Sequence, residues 1–147
     1  MSIKQAIQEA MKEAMKNKDH DRLECLRMAK GALLLKEKEG PKGDIEDADA
    51  VAALRAEIKK RQHSIETFRS VGQEEAAKKT EIEIAIIEEF LPKQLSAGQL
   101  EERVRAYLAE HPELNHAGKL TGAIKKELGD LADGKMLNEI CRAVLGQ

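Results

Sequence analysis

Apolar residues return at intervals of three and four along almost the whole of this chain, and that spacing restricts it to helices. Ile3, Ala6, Ile7, Ala10, Met11 and Ala14 trace one such stripe, and Leu23, Leu26, Leu33 and Leu34 trace the next. Val51, Leu54, Ile58, Ile65 and Phe68 trace a third. Aromatics make up 2% of the 147 residues, so the core must be built from Leu, Ile, Ala and Met. Such a core suits helix packing better than a β-sandwich, which draws on β-branched and aromatic side chains. Only three prolines interrupt the chain.

Local signals set the helix ends. Ser2 with Gln5 forms a capping box for a first helix that runs to about Lys16. "NKDHD" is a turn, and a second helix spans about His20 to Lys38, with all four of its leucines above turned inward. Gly40-Pro41 stops it. Asp47 reads as the N-cap of a third helix that ends near Val71, with Gly72 just past its C-terminus. "EIEIAI" alternates like a strand, but its flanks are helical, so a fourth helix is expected from Gln73 to about Leu91. Pro92 ends it, and Ser96 with Gln99 makes a second capping box.

The expectation is an all-α chain: an N-terminal four-helix bundle over 1–91, a linker at 92–96, and a three-helix unit over 97–147 with helices near 97–110, 116–128 and 134–145.

Charge excludes some functions. The net charge is −2, so no global basic field draws in nucleic acid and any such contact needs a local patch. Residues 1–43 carry +3, residues 44–96 carry −4 and residues 97–147 carry −1. Cys25 and Cys141 form no CxxC and sit on apolar stripes, which reads as two core thiols in a reducing compartment. The four histidines match no metal-ligand spacing, so no metal is expected. No GxSxG, P-loop or GxGxxG followed by an acid appears; no cofactor and no catalytic residue is expected. The amphipathic N-terminus lacks a signal-peptide core, and no run approaches a membrane span, so a cytoplasmic chain with no membrane or DNA partner is expected.

Candidate binding residues cluster in "AGKLTGAIKKELGDLADG". On a helical wheel Gly118 and Gly122 lie roughly 40° apart, on the side away from Leu120, Ile124 and Leu128. Lys119, Lys125 and Lys126 flank them. Bare backbone edged with lysines lets a phosphodiester chain approach. In the last helix Lys135, Asn138 and Arg142 face away from Leu137, Ile140, Cys141 and Val144, with Glu139 beside them, an acid that counts against a pure phosphate-binding face. Both faces also read as ordinary solvated surface, with Gly129 as a C-cap and Gly134 as a turn residue. Lys30 and Arg61 lie on apolar stripes, near Glu37, Glu57, Glu81 and Glu88, and read as ion pairs between helices. Lys59, Lys60, His63 and Arg69 read as solvated surface, since no aromatic platform stands among them.

"LRMAKGALLLKEKE", "LRAEIKKRQHSIETFRSVG", "TEIEIAIIEEFLPKQLS" and "GKLTGAIKKELGDLADGKMLNEICRAVL", in that order, resemble the YqeY-like family over nearly the whole chain. The C-terminal unit is also similar to the tail domain of the B subunit of the glutamine-dependent aspartyl/glutamyl-tRNA amidotransferase (GatB). The resemblance implies an N-terminal helical bundle followed by a three-helix GatB/YqeY unit. In the amidotransferase that tail is associated with holding tRNA, while the chemistry lies in other domains. The family's usual label, carbon–nitrogen ligase activity with glutamine as amido-N-donor, reads as inherited from the tail. The tail's Gly-Lys element matches Gly118-Lys119, its second glycine Gly122, its basic helix Lys125 and Lys126, its later glycine Gly129 and its asparagine Asn138. The preceding loop, "EHPELNHA", departs from a basic RNA-binding loop in carrying only histidines.

The expected partner is therefore tRNA, or a tRNA-modifying or tRNA-charging enzyme, held on Gly118, Lys119, Gly122, Lys125, Lys126, Lys135, Asn138 and Arg142. A protein-interaction module without RNA binding, and a component of a glutamine-dependent carbon–nitrogen ligase, are the alternatives.

Overall fold

The computed structural model describes residues 1–147 and contains seven α-helices and no strand. These are α1 (Ile3–Lys16), α2 (His20–Glu39), α3 (Asp47–Ser70), α4 (Glu74–Glu88), α5 (Ala97–Glu110), α6 (Ala117–Leu128) and α7 (Gly134–Leu145), with a short 3-10 turn at Gly129–Leu131. None is long and apolar enough to cross a membrane. The chain forms two compact units, Met1–Leu91 and Pro92–Gln147.

Both capping boxes form. Ser2 Oγ accepts the Gln5 N–H at 3.2 Å, and Gln5 Oε1 accepts the Ser2 N–H at 2.9 Å. Ser96 and Gln99 repeat the exchange at 3.2 and 2.9 Å. Gly72 has φ +76°, a left-handed conformation that glycine adopts without a Cβ clash, and it turns the chain from α3 into α4. "EIEIAI" lies within α4. Strand alternation would put Ile82, Ile84 and Ile86 on one face. Instead Ile82 is exposed, while Ala77, Thr80 and Ile87 are buried at helical spacing.

In the first unit α3 and α4 make the most extensive pairing, and α1 and α2 pack beside them. Ile7, Leu26, Leu33, Leu54 and Ile87 are fully enclosed at its centre. Ion pairs tie these helices together. Arg61 is buried and donates to Glu83 Oε1 at 3.1 Å, Glu57 Oε1 at 3.3 Å and the Glu57 carbonyl at 3.2 Å. Lys4 bridges Glu37 at 2.8 Å and Asp44 at 3.0 Å. Arg22 grips Glu89 through both terminal nitrogens, and Arg69 pairs with Glu74 and Glu81.

Three expectations change here. Asp47 is the first residue of α3 rather than its cap, and its Oδ1 accepts the Ile3 N–H at 3.0 Å, closing the start of α1 instead. Glu46 takes the cap position without a side-chain bond. Leu34 is exposed, because the core side of α2 is filled by Leu23, Leu26, Ala29 and Leu33. Lys30 takes no acid: Glu37 belongs to Lys4.

In the second unit α7 packs on both α5 and α6 around Leu100, Val104, Leu120, Ile124, Leu137 and Cys141. The segment before α5 belongs to this core. The Leu95 N–H donates to the Leu131 carbonyl at 2.8 Å, and Gln94 Nε2 donates to the Asp130 carbonyl at 2.9 Å.

Candidate nucleic-acid interface

The candidate residues all lie in the second unit, on α6 and α7. The inner sides of both helices are set by their apolar residues, so the polar residues between them are carried outward. Gly118, Lys119, Gly122 and Lys126 are exposed on α6, and Lys135 and Arg142 are exposed on α7. Lys119, Gly122 and Lys126, spaced i, i+3 and i+7, share one face of α6.

The two exposed glycines of α6 differ. A Cβ at Gly122 would meet nothing within 4 Å, so that position is open surface. A Cβ at Gly118 would press on the His116 ring at 3.3 Å. That ring caps the helix: His116 Nδ1 accepts the Gly118 N–H at 3.2 Å. Gln147, at the far end of the unit's sequence, completes the cap. Its Oε1 accepts the Ala117 N–H at 3.2 Å and its Nε2 donates to the Asn115 carbonyl at 2.8 Å.

A shallow recess opens beside this cap, lined by His116, Ala117, Gly118, Asn138, Arg142 and Gln147. It brings Gly118 of one helix together with Asn138 and Arg142 of the next. Asn138 Oδ1 accepts from Thr121 Oγ1 at 3.3 Å, which sets the amide against α6.

Lys125 departs from the expectation that it flanks the glycines as a free cation. Its ammonium donates to the Gly129 carbonyl at 2.9 Å and also to the Ala132 carbonyl. A cation there meets the negative end of the α6 dipole and satisfies carbonyls that the helix leaves open. Gly129, at φ +58°, makes the bend that presents those carbonyls. Gly134 is the first residue of α7, behind the Asp133 cap, rather than part of the preceding turn.

Within this unit Arg105 pairs with Glu101, and His111 Nδ1 lies 3.5 Å from Glu113 Oε1. Neither engages Lys119, Lys126, Lys135 or Arg142. Burial pushes the thiols of Cys25 and Cys141 above the ordinary cysteine value, so both stay protonated and unreactive. A second depression, between α5 and α6, has Ile124 and Leu128 as an apolar floor and mixes Arg103 with Glu110 and Glu127, an arrangement that repels phosphate as much as it attracts it.

Sequence reasoning missed His116, Gln147 and Thr121. His116 directly precedes the helix, but histidine is not a favoured N-cap. Nothing in the sequence near Gln147 points to a residue thirty positions earlier.

A search of curated proteins finds no sequence match. The family model described as Yqey-like protein matches residues 4–145, and the chain belongs to that family.

Proposed function

We propose that this YqeY-like chain is a non-catalytic, cytoplasmic tRNA-binding protein, or an associate of a tRNA-modifying or tRNA-charging enzyme. Its C-terminal three-helix GatB/YqeY-type unit carries the binding, and the N-terminal four-helix unit is a separate domain. Lys119, Lys126, Lys135 and Arg142 contact phosphates. Gly118 and Gly122 lower the relief of α6 so that the RNA backbone comes close, and Asn138 offers its amide to sugar or base edges.

One observation carries this reading. Four cations on α6 and α7 have no acid partner in their unit, where the α6–α7 link is made by the neutral Thr121 and Asn138 and Lys125 is held by the carbonyls just past the end of α6. These exposed cations leave positive charge available for phosphate on a chain of net charge −2, with Glu139 standing beside Lys135 and Arg142 on α7.

Four phosphate contacts give a slope of about −3 in log affinity against log salt concentration. Labelled tRNA titrated with the protein across a salt series measures it. The combined variant Lys119→Glu, Lys126→Glu and Arg142→Glu should cut the slope to about −1 and leave the helical signal intact. Equal tRNA binding by variant and wild type would falsify the assignment. Glutamine-dependent amidation of mischarged tRNA by the purified protein is the result that would replace it with a ligase role.

A further inference from the structure

The outer face of α2 is largely exposed. Its inner face supplies Leu23, Leu26, Ala29 and Leu33 to the core. On the opposite side Met28 is 53% exposed and Leu35 is 65% exposed. Met28 leans toward Arg61, with its sulfur 4.0 Å from a guanidinium nitrogen, and still presents its length to solvent. Glu24, Met28, Gly31, Leu35 and Lys38 follow one another at intervals of four, three, four and three. That is the seam spacing by which one helix pairs with another.

Gly31 stands at the centre of this seam. Glycine weakens a helix interior, so a reason for it is expected. Packing within the chain supplies none, since a Cβ at Gly31 would meet nothing within 4 Å. Bare backbone in the middle of an exposed apolar stripe lets a second helix approach closely. The ends of the seam carry opposite charges, Glu24 seven residues before Gly31 and Lys38 seven residues after it. Neither is in an ion pair of its own unit; the acid and base beside them on α2, Glu39 and Lys36, pair with each other.

We propose that α2 pairs antiparallel with α2 of a second copy of this chain, about a two-fold axis at Gly31. The axis sets Glu24 of each copy beside Lys38 of the other, and Met28 of each against the Leu34–Leu35 end of the other. A parallel pairing would set Glu24 on Glu24 and Lys38 on Lys38, so the charges select the antiparallel one. The same symmetry explains why one stripe contains both halves of the contact. It also gives the exposed Leu34 a place. One helix face is small beside the roughly 800 Å² per partner of a standard interface, so the pairing is reversible and depends on concentration.

Sedimentation velocity on the full chain over a concentration series tests this. The wild type should move from one chain mass toward two. Glu24→Lys and Lys38→Glu should each weaken self-association by at least about tenfold, and the double reversal should restore it. Gly31→Leu should stay monomeric while keeping its helical circular dichroism, since leucine is the better helix former. A wild type that remains monomeric over the whole series overturns the pairing and leaves the stripe to a different protein. Equal self-association of the single and double reversals overturns it as well.

Discussion

The two units use their charged side chains in opposite ways. In Met1–Leu91 the cations join distant segments: Lys4 reaches Glu37 and Asp44, Arg22 reaches Glu89, and Arg61 reaches Glu83. In Pro92–Gln147 the corresponding links are neutral, made by Thr121 with Asn138, by Gln147 with the α6 start, and by Gln94 and Leu95 with the turn at 130–131. The exception, Lys125, binds carbonyls rather than an acid. Charge that holds a fold together is unavailable to a ligand. A count of lysines and arginines therefore says little about binding until their partners are known.

The sharpest way to break this contrast is Arg61→Ala. It leaves Glu57 and Glu83 in a partly buried site without their cation, and should destabilise the first unit by about 3 kcal/mol. Denaturant melts, with hydrogen exchange of the α3 and α4 amides, measure the loss. Arg61→Met should recover part of it by filling the same space. A loss in the alanine variant no larger than that of an exposed residue would mean the ion pairs are ornamental.

Lys125→Met sharpens the contrast from the other side. It should lower the stability of the second unit by about 1 kcal/mol, by uncovering the carbonyls at the end of α6. Affinity for tRNA should stay unchanged, unlike in the Lys119, Lys126 and Arg142 variant. A fall in affinity without a fall in stability would return Lys125 to the binding face.

Thr121→Val removes the hydroxyl link between α6 and α7 and should cost about 0.5–1 kcal/mol, read from thermal melts.

The smallest effect is a pH dependence. The hydrogen bond from Lys4, followed by that from the Ile45 N–H, holds the Glu37 carboxyl below its ordinary value. A depressed folded value contributes stability that is present above the unfolded value and lost as pH falls through the folded one. Glu37→Gln should therefore flatten the acid side of the stability–pH profile, and, because the same hydrogen bond raises the Lys4 ammonium above its ordinary value, it should also reduce the loss of stability on the far alkaline side. An unchanged acid limb would show that the Lys4–Glu37–Ile45 clasp adds nothing.

Much of the fold was legible in the residues because the signals that start and stop helices are local. Ser2 with Gln5, Ser96 with Gln99, and Gly72 act within one turn of the backbone they shape, and each behaves in the structure as its residue type dictates. The strand-like "EIEIAI" was decided by its neighbours in sequence. The outward placement of Gly118, Lys119, Gly122 and Lys126 followed from the apolar residues between them.

What the sequence left open was partnership. The second helix is apolar on both sides, so only the packing of α1, α3 and α4 decides that Leu33 is enclosed and Leu34 exposed. Asp47 serves an N–H forty-four residues away, and Gln147 caps a helix thirty residues before it. Lys125 and Lys126 are adjacent and chemically alike, yet the bend at Gly129 draws in one and leaves the other in solvent. Helix formation is governed by neighbours along the chain, whereas the partner a side chain finds is governed by neighbours in space, and only the tertiary structure brings those together.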